Sequence, residues 1–202
     1  MPADTLPPCP AAAAPRRARC PRCDRPLPAC LCAWVRPTAN RVPVQVLQHP
    51  LEAGQAKGSL PLLRLSLQRL ECRVGERFEP DALPSAGWRL LYPAAADDPP
   101  PGSVTAGLLV LDGTWRKTRR LLHDNPWLAA LPRWPLRSPP PSRYAIRKAR
   151  RPGQLSTLEA TCLALGTLEG DAGRYAPLLA AFDGWVADEA ARQRRGHQAL
   201  RR

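Results

Sequence analysis

The residues best suited to chemistry are Asp112-Gly113-Thr114-Trp115, set between the apolar run GLLVL at 107–111 and a basic stretch that begins Arg116-Lys117. In α/β sheets, ligands bind beyond the carboxyl ends of the strands. An acid delivered to that rim is placed either to take a proton or to hold a ligand. Gly113 lets the backbone turn and a ligand come close, Thr114 is a candidate cap for the following helix, and Trp115 either covers a ligand or packs on the sheet. On these residues alone a purely structural role, as turn, cap and core, accounts for the pattern equally well.

A second constellation is SRYAIRKARRPGQLSTLEA, residues 142–160. Arg143, Arg147 and Lys148 are candidate phosphate ligands, and Tyr144 is a candidate platform for a stacked base. Ser156, Thr157 and Glu159 open a helix with the Ser-x-x-Glu pattern of a capping box. That reading is structural, yet a helix N-terminus also presents amides to a ligand, so the two roles are compatible. Gln48-His49-Pro50, at the end of an apolar run, forms a third rim element. The bland reading of His49 alone is structural.

Four cysteines, Cys20-x2-Cys23-x6-Cys30-x-Cys32, fall within thirteen residues, with Pro21, Pro26 and Pro28 stiffening the turns. Four thiolates suit a closed, structural tetrahedral zinc site and leave no open coordination position for catalysis. The alternative is a set of surface thiols in a proline-rich arm, but a short segment without its own core needs a staple. Cys162 falls mid-helix and reads as core.

The elements that must carry these groups are strands alternating with helices. Val42–Gln48, Arg73–Phe78, Trp88–Tyr92 and Gly107–Leu111 read as strands, and residues 132–142 as one short strand plus an extended, proline-rich loop. Helices are expected over Ser59–Leu70, Trp115–His123, Ser156–Glu169 and 175–195. This alternation indicates an α/β domain with a largely parallel sheet. Residues 1–18 form a Pro/Ala-rich tail expected to be disordered, 19–36 the cysteine segment, 37–195 the α/β domain and 196–202 a basic tail.

The 202 residues carry 30 basic and 17 acidic side chains, a formal net charge of +13. The charge is concentrated. Residues 116–151 hold eleven bases and one acid, Asp124, whereas 153–189 hold six acids and one base, Arg174. Such a basic block suits a polyanionic partner, with a solvated charged face as the alternative. No run of 18 apolar residues is present, so no membrane span is expected, and the N-terminus lacks a signal-peptide pattern. The expectation is a cytoplasmic enzyme or RNA-binding protein, monomeric, with cysteines free or metal-bound.

Taken together, Cys-x2-Cys…Cys-x-Cys, Gln48-His49-Pro50-x-Glu52, Leu91-Tyr92-Pro93, Asp112-x-Thr114-Trp115, Ser142-Arg143-Tyr144-x2-Arg147-Lys148 and Ser156-Thr157-x-Glu159-Ala160 resemble the DTW-domain proteins over residues 19–190. The resemblance implies a tRNA-uridine aminocarboxypropyltransferase with a SPOUT-like knotted α/β fold. Such an enzyme transfers the 3-amino-3-carboxypropyl group of S-adenosylmethionine to N3 of a tRNA uridine, a variable-loop uridine in bacterial relatives, and releases 5′-methylthioadenosine. It also implies that Leu91, Tyr92, Pro93, Leu111, Gly113, Leu155, Ser156, Thr157 and Glu159 form the donor pocket. Asp112, Thr114 and Trp115 would be catalytic, with Asp112 as base toward N3–H or as a group that positions the donor. Arg116, Lys117, Arg120, Arg143, Tyr144, Arg147 and Lys148 would hold tRNA. Ser59 and Tyr92 depart conservatively from the family pattern, where Thr and Phe are usual. A SPOUT-like RNA methyltransferase and a non-enzymatic zinc-knuckle RNA-binding protein are the rival readings.

Overall fold

The computed structural model describes residues 18–82, 86–94, 105–144 and 154–199. Four parallel strands form its sheet: β1 Val44–Gln48, β2 Leu70–Val74, β3 Trp88–Leu91 and β4 Gly107–Asp112, in the order β2-β1-β4-β3. β1 and β4 are buried along their whole length, and β2 is a largely exposed edge. That burial explains the unbroken apolar runs in the sequence, since a parallel sheet covered on both faces has no polar side to alternate with.

One face carries Val44, Val46, Leu108 and Val110. They pack with Leu62 and Leu63 of α1 (Leu60–Ser66), Leu158 and Leu165 of α4 (Thr157–Glu169), and Phe182 and Trp185 of α5 (Ala176–Ala199). The other face carries Leu47, Trp88, Leu90, Leu109 and Leu111 against Leu128 of α3 (Pro126–Ala129), with Leu122 of α2 (Trp115–Asp124) beside them. The α/β class with a parallel sheet is therefore as expected.

Several boundaries differ. α1 ends at Ser66 rather than Leu70, because Leu67 turns to an extended conformation and Leu70 pairs with Val44. The strand expected at 73–78 accordingly begins three residues earlier. Pairing with β1, not local propensity, sets where this edge strand starts. Ser59 precedes α1 without a side-chain cap bond, and its Oγ accepts from the Leu158 amide at 3.4 Å instead. The short strand expected in 132–142 is a single parallel bridge of Arg133 to Leu90. α5 runs to Ala199, so part of the expected basic tail is helix. The expected tail at 1–18 lies outside the described residues except Ala18.

The cysteine segment docks on α5. Gly184 lets the Trp34 ring approach the helix so closely that an added Cβ would collide with it. Arg25 is buried there, its guanidinium 5.3 Å from the Trp185 ring centre and 3.6 Å from Glu189.

Candidate active site

Gln48 and Asp112 are register partners on adjacent parallel strands, so their side chains share one face at the carboxyl rim. Asp112 is buried, with 9% exposure. Its Oδ2 accepts from Gln48 Nε2 at 2.8 Å, and its Oδ1 accepts from the Thr157 hydroxyl. The Asp112 carbonyl accepts from the His49 amide at 3.1 Å. The backbone at Gly113 is closely covered: an added Cβ would stand 3.2 Å from Lys117 Cβ and 3.7 Å from His49 Cβ. The junction thus lies tight under the first turn of α2. Thr114 occupies the N-cap position of α2 but makes no side-chain cap bond, contrary to the capping expectation.

Beside the junction is a cavity of 310 Å³ whose wall includes Leu91, Tyr92, Pro93, Leu111, Gly113, Trp115, Leu155, Ser156 and Thr157. Three separate stretches of sequence therefore meet in one concave surface, of a size that takes a small organic ligand. Trp115 is 40% exposed and meets Tyr92 edge-on, with ring centres 5.5 Å apart. Thr118, Pro135, Leu136 and Pro139 also line the cavity, and sequence reasoning misses them. For Pro135, Leu136 and Pro139 the signal is the proline-rich stretch itself, an extended chain with few amide donors to satisfy. Arg133, likewise missed, donates to the Pro93 carbonyl at 2.8 Å and lies 5.3 Å from the centre of the Tyr92 ring, so it props the 91–93 loop.

Glu159 is not in the cavity wall. The capping box is present: Ser156 Oγ accepts from the Glu159 amide at 3.2 Å, and Glu159 Oε2 accepts from the Ser156 amide at 2.8 Å. The same carboxylate accepts from the Ser142 hydroxyl at 2.9 Å and from the Arg143 amide at 2.8 Å. Glu159 therefore fastens 142–143 to the start of α4 and supports the cavity wall from behind.

The residues expected to hold RNA divide. Arg116 is exposed on α2. Arg120 is exposed and pairs with Asp124 at 3.1 Å. Arg143 is largely exposed and bonds Asp183 at 2.7 Å, which holds its guanidinium above the usual arginine range. Lys117 is already paired: its ammonium is 2.6 Å from buried Glu52, which offsets its charge. Tyr144 departs from the stacking expectation in its placement. It is 7% exposed and packs 5.3 Å from Phe182 and 6.3 Å from Trp185, so it is a core residue and not a stacking platform. Arg147 and Lys148 lie outside the described residues.

Away from the cavity, the sulfurs of Cys20, Cys23, Cys30 and Cys32 all lie within 4.8 Å of one another. Cys20–Cys32 and Cys23–Cys30 are each 3.7 Å apart. A tetrahedral zinc with metal–sulfur bonds of about 2.3 Å would set sulfur–sulfur edges of about 3.8 Å, so the donor set fits that ion. The amides of Cys23 and Arg22 hold the Cys20 thiolate down to about 6, whereas burial and the neighbouring sulfurs push Cys32 up to about 12. Four thiols this close ionise together only around a cation.

Comparison with known proteins places these features in a family context. A family model described as the DTW domain matches residues 17–188. A protein of Macaca fascicularis named tRNA-uridine aminocarboxypropyltransferase 2 is 30% identical over 187 residues, covering 83% of this chain and 62% of its own length. The mouse protein of that name is 30% identical over 77% of this chain and 58% of its own length, and the Drosophila melanogaster one 33% identical over 76% and 68%. The chain thus spans about three-fifths of the macaque and mouse relatives. No solved structure matches it.

Proposed function

The chain belongs to the DTW-domain family, and from that premise we propose that it is a tRNA-uridine aminocarboxypropyltransferase. The observation that carries this reading is the convergence of 91–93, of Leu111, Gly113 and Trp115, and of 155–157 on one cavity at the carboxyl ends of β3 and β4. The names of its relatives supply the reaction class.

The donor is S-adenosylmethionine, whose sulfonium makes the methionyl Cγ electrophilic. At uridine N3 a proton leaves, an N3–Cγ bond forms, the Cγ–S bond breaks and 5′-methylthioadenosine departs. Because the donor is already activated, the protein's task is orientation and exclusion of attack at the methyl carbon. Leu111, Leu155 and Tyr92 supply an apolar wall that keeps water out. The first turn of α4, at Ser156–Thr157, offers the positive end of a helix to the donor's carboxylate. Trp115 and Tyr92 close the mouth. Arg116 and Arg120, exposed on the helix that starts at the cavity, together with Arg143, suit the phosphates of a tRNA.

Zinc in the four-cysteine site belongs to the same proposal, as a structural ion that holds the segment against α5. One zinc per purified chain, lost in Cys23→Ser together with a fall in thermal stability, is the expected result. Zinc-free protein of equal stability would contradict it. The knotted SPOUT-like topology is carried by the family resemblance alone. A cytoplasmic setting suits a tRNA substrate. No helix among the described residues is long and apolar enough to cross a membrane.

Mass spectrometry of tRNA nucleosides from a deletion strain tests the function. Loss of an aminocarboxypropyl-uridine signal, restored by the gene, supports it. An unchanged nucleoside profile counts against it. Modification confined to the variable loop would bear out the finer assignment.

A further inference from the structure

Asp112 invites assignment as the base that takes the N3 proton, yet its surroundings suit another task. Its side chain is not part of the cavity wall, whereas Thr157 is. Both carboxylate oxygens already accept hydrogen bonds, one from Thr157 at the start of α4 and one from Gln48 at the end of β1. The carbonyl of the same residue accepts from the His49 amide. A general base must come within hydrogen-bond reach of the proton it removes, about 2.6–3.2 Å. A carboxylate behind the wall, bound by these donors, is instead placed to fix the groups that donate to it.

We propose that Asp112 is a positioning residue: with Gln48 it clamps Thr157, and so holds the first turn of α4 where the donor binds. This rests on the reading of the cavity as a donor site. The clamp joins the carboxyl ends of two strands to the N-terminus of the helix that supplies residues 155–157 to the wall. Its negative charge at a helix N-terminus is favourable in itself, which helps a buried carboxylate to be tolerated. Gln48 becomes functional through Asp112, because its amide fixes which way the carboxylate plane faces.

The polarity of the clamp provides the test. Asp112→Asn leaves one acceptor and one donor where the carboxylate has two acceptors, so it can no longer accept from both Gln48 and Thr157. Adding Gln48→Glu restores a donor–acceptor pair with the charge moved to the other strand. The readouts are S-adenosylmethionine affinity by calorimetry without tRNA, amide hydrogen exchange at 155–158, and single-turnover transfer at saturating donor. In Asp112→Asn, donor affinity should fall on the order of tenfold to a hundredfold. Exchange at 155–158 should quicken, and transfer at saturating donor should stay within a few-fold of wild type. The double variant should recover affinity and protection. Thr157→Val, which deletes only the hydroxyl, should reproduce the single variant, and its effect should not add to that of Asp112→Asn.

The proposal is overturned if Asp112→Asn keeps wild-type affinity and exchange but loses transfer, with no rescue by Gln48→Glu. That pattern would make Asp112 a proton acceptor, directly or through Thr157. Wild-type protein that binds no S-adenosylmethionine would sink the donor-site reading instead. Exchange at 155–158 would then judge the clamp alone, and unchanged exchange in Asp112→Asn and Thr157→Val would overturn it.

Discussion

The Asp112–Arg116 junction and the Ser142–Tyr144 segment look alike in sequence: each sets a small polar residue beside an aromatic ring and an arginine. The fold uses them in opposite ways. The first turns its aromatic, Trp115, into the cavity mouth and leaves Arg116 in solvent. The second turns Tyr144 into the core against Phe182 and Trp185, and anchors its backbone to Glu159. The difference lies in where each motif sits on the scaffold. The junction leads straight into a helix whose first turn faces the sheet rim. The Ser142–Tyr144 segment crosses over α5, where an aromatic side chain has apolar partners and a stacked base would have no room.

Substitutions at the two aromatics should separate these roles most sharply. Tyr144→Ala should cost about 3–5 kcal/mol in urea denaturation, as expected for emptying a core aromatic site. A loss below about 1 kcal/mol with weakened tRNA binding would reinstate the stacking role. Glu159→Ala, which strips the acceptor from Ser142, Arg143 and Ser156, should cost about 1–3 kcal/mol and loosen donor binding through the wall it supports. Unaltered stability would mean that these bonds are replaced by water. Trp115→Ala should leave the denaturation midpoint nearly unchanged and lower transfer by about tenfold, roughly 1.4 kcal/mol at the barrier. A large fall in stability with normal transfer in the folded fraction would make Trp115 structural after all. The smallest effects concern the bases. Arg116→Ala should flatten the salt dependence of tRNA binding by about 0.7–0.9 in log–log slope, one phosphate contact. Lys117→Ala should leave that slope unchanged, because the ammonium pairs with Glu52. Equal slopes for the two variants would erase the distinction between them.

Much of the scaffold was legible in the chain. VPVQVLQ and GLLVLD are apolar runs with few polar residues and are ended by one, and parallel pairing aligns those ends so that Gln48 meets Asp112. Ser156-x-x-Glu159 specified its own helix start, because a capping box is a local motif. The four cysteines could be grouped for a similar reason, being close in sequence. What local pattern did not reveal was long-range. The pairing of Leu70 with Val44 ended α1 early. The burial of Tyr144 depends on α5, some forty residues on. Glu52 sits 65 residues before the lysine it neutralises. The role of Pro135, Leu136 and Pro139 in the cavity wall depends on a bridge between Arg133 and Leu90 that no periodicity announces.

Product analysis with purified protein tests the proposed reaction most directly. Incubated with tRNA and S-adenosylmethionine, the protein should release 5′-methylthioadenosine in equal amount to new aminocarboxypropyl-uridine in the tRNA digest. Release of S-adenosylhomocysteine with a methylated nucleoside, or tRNA binding with neither product, would contradict it.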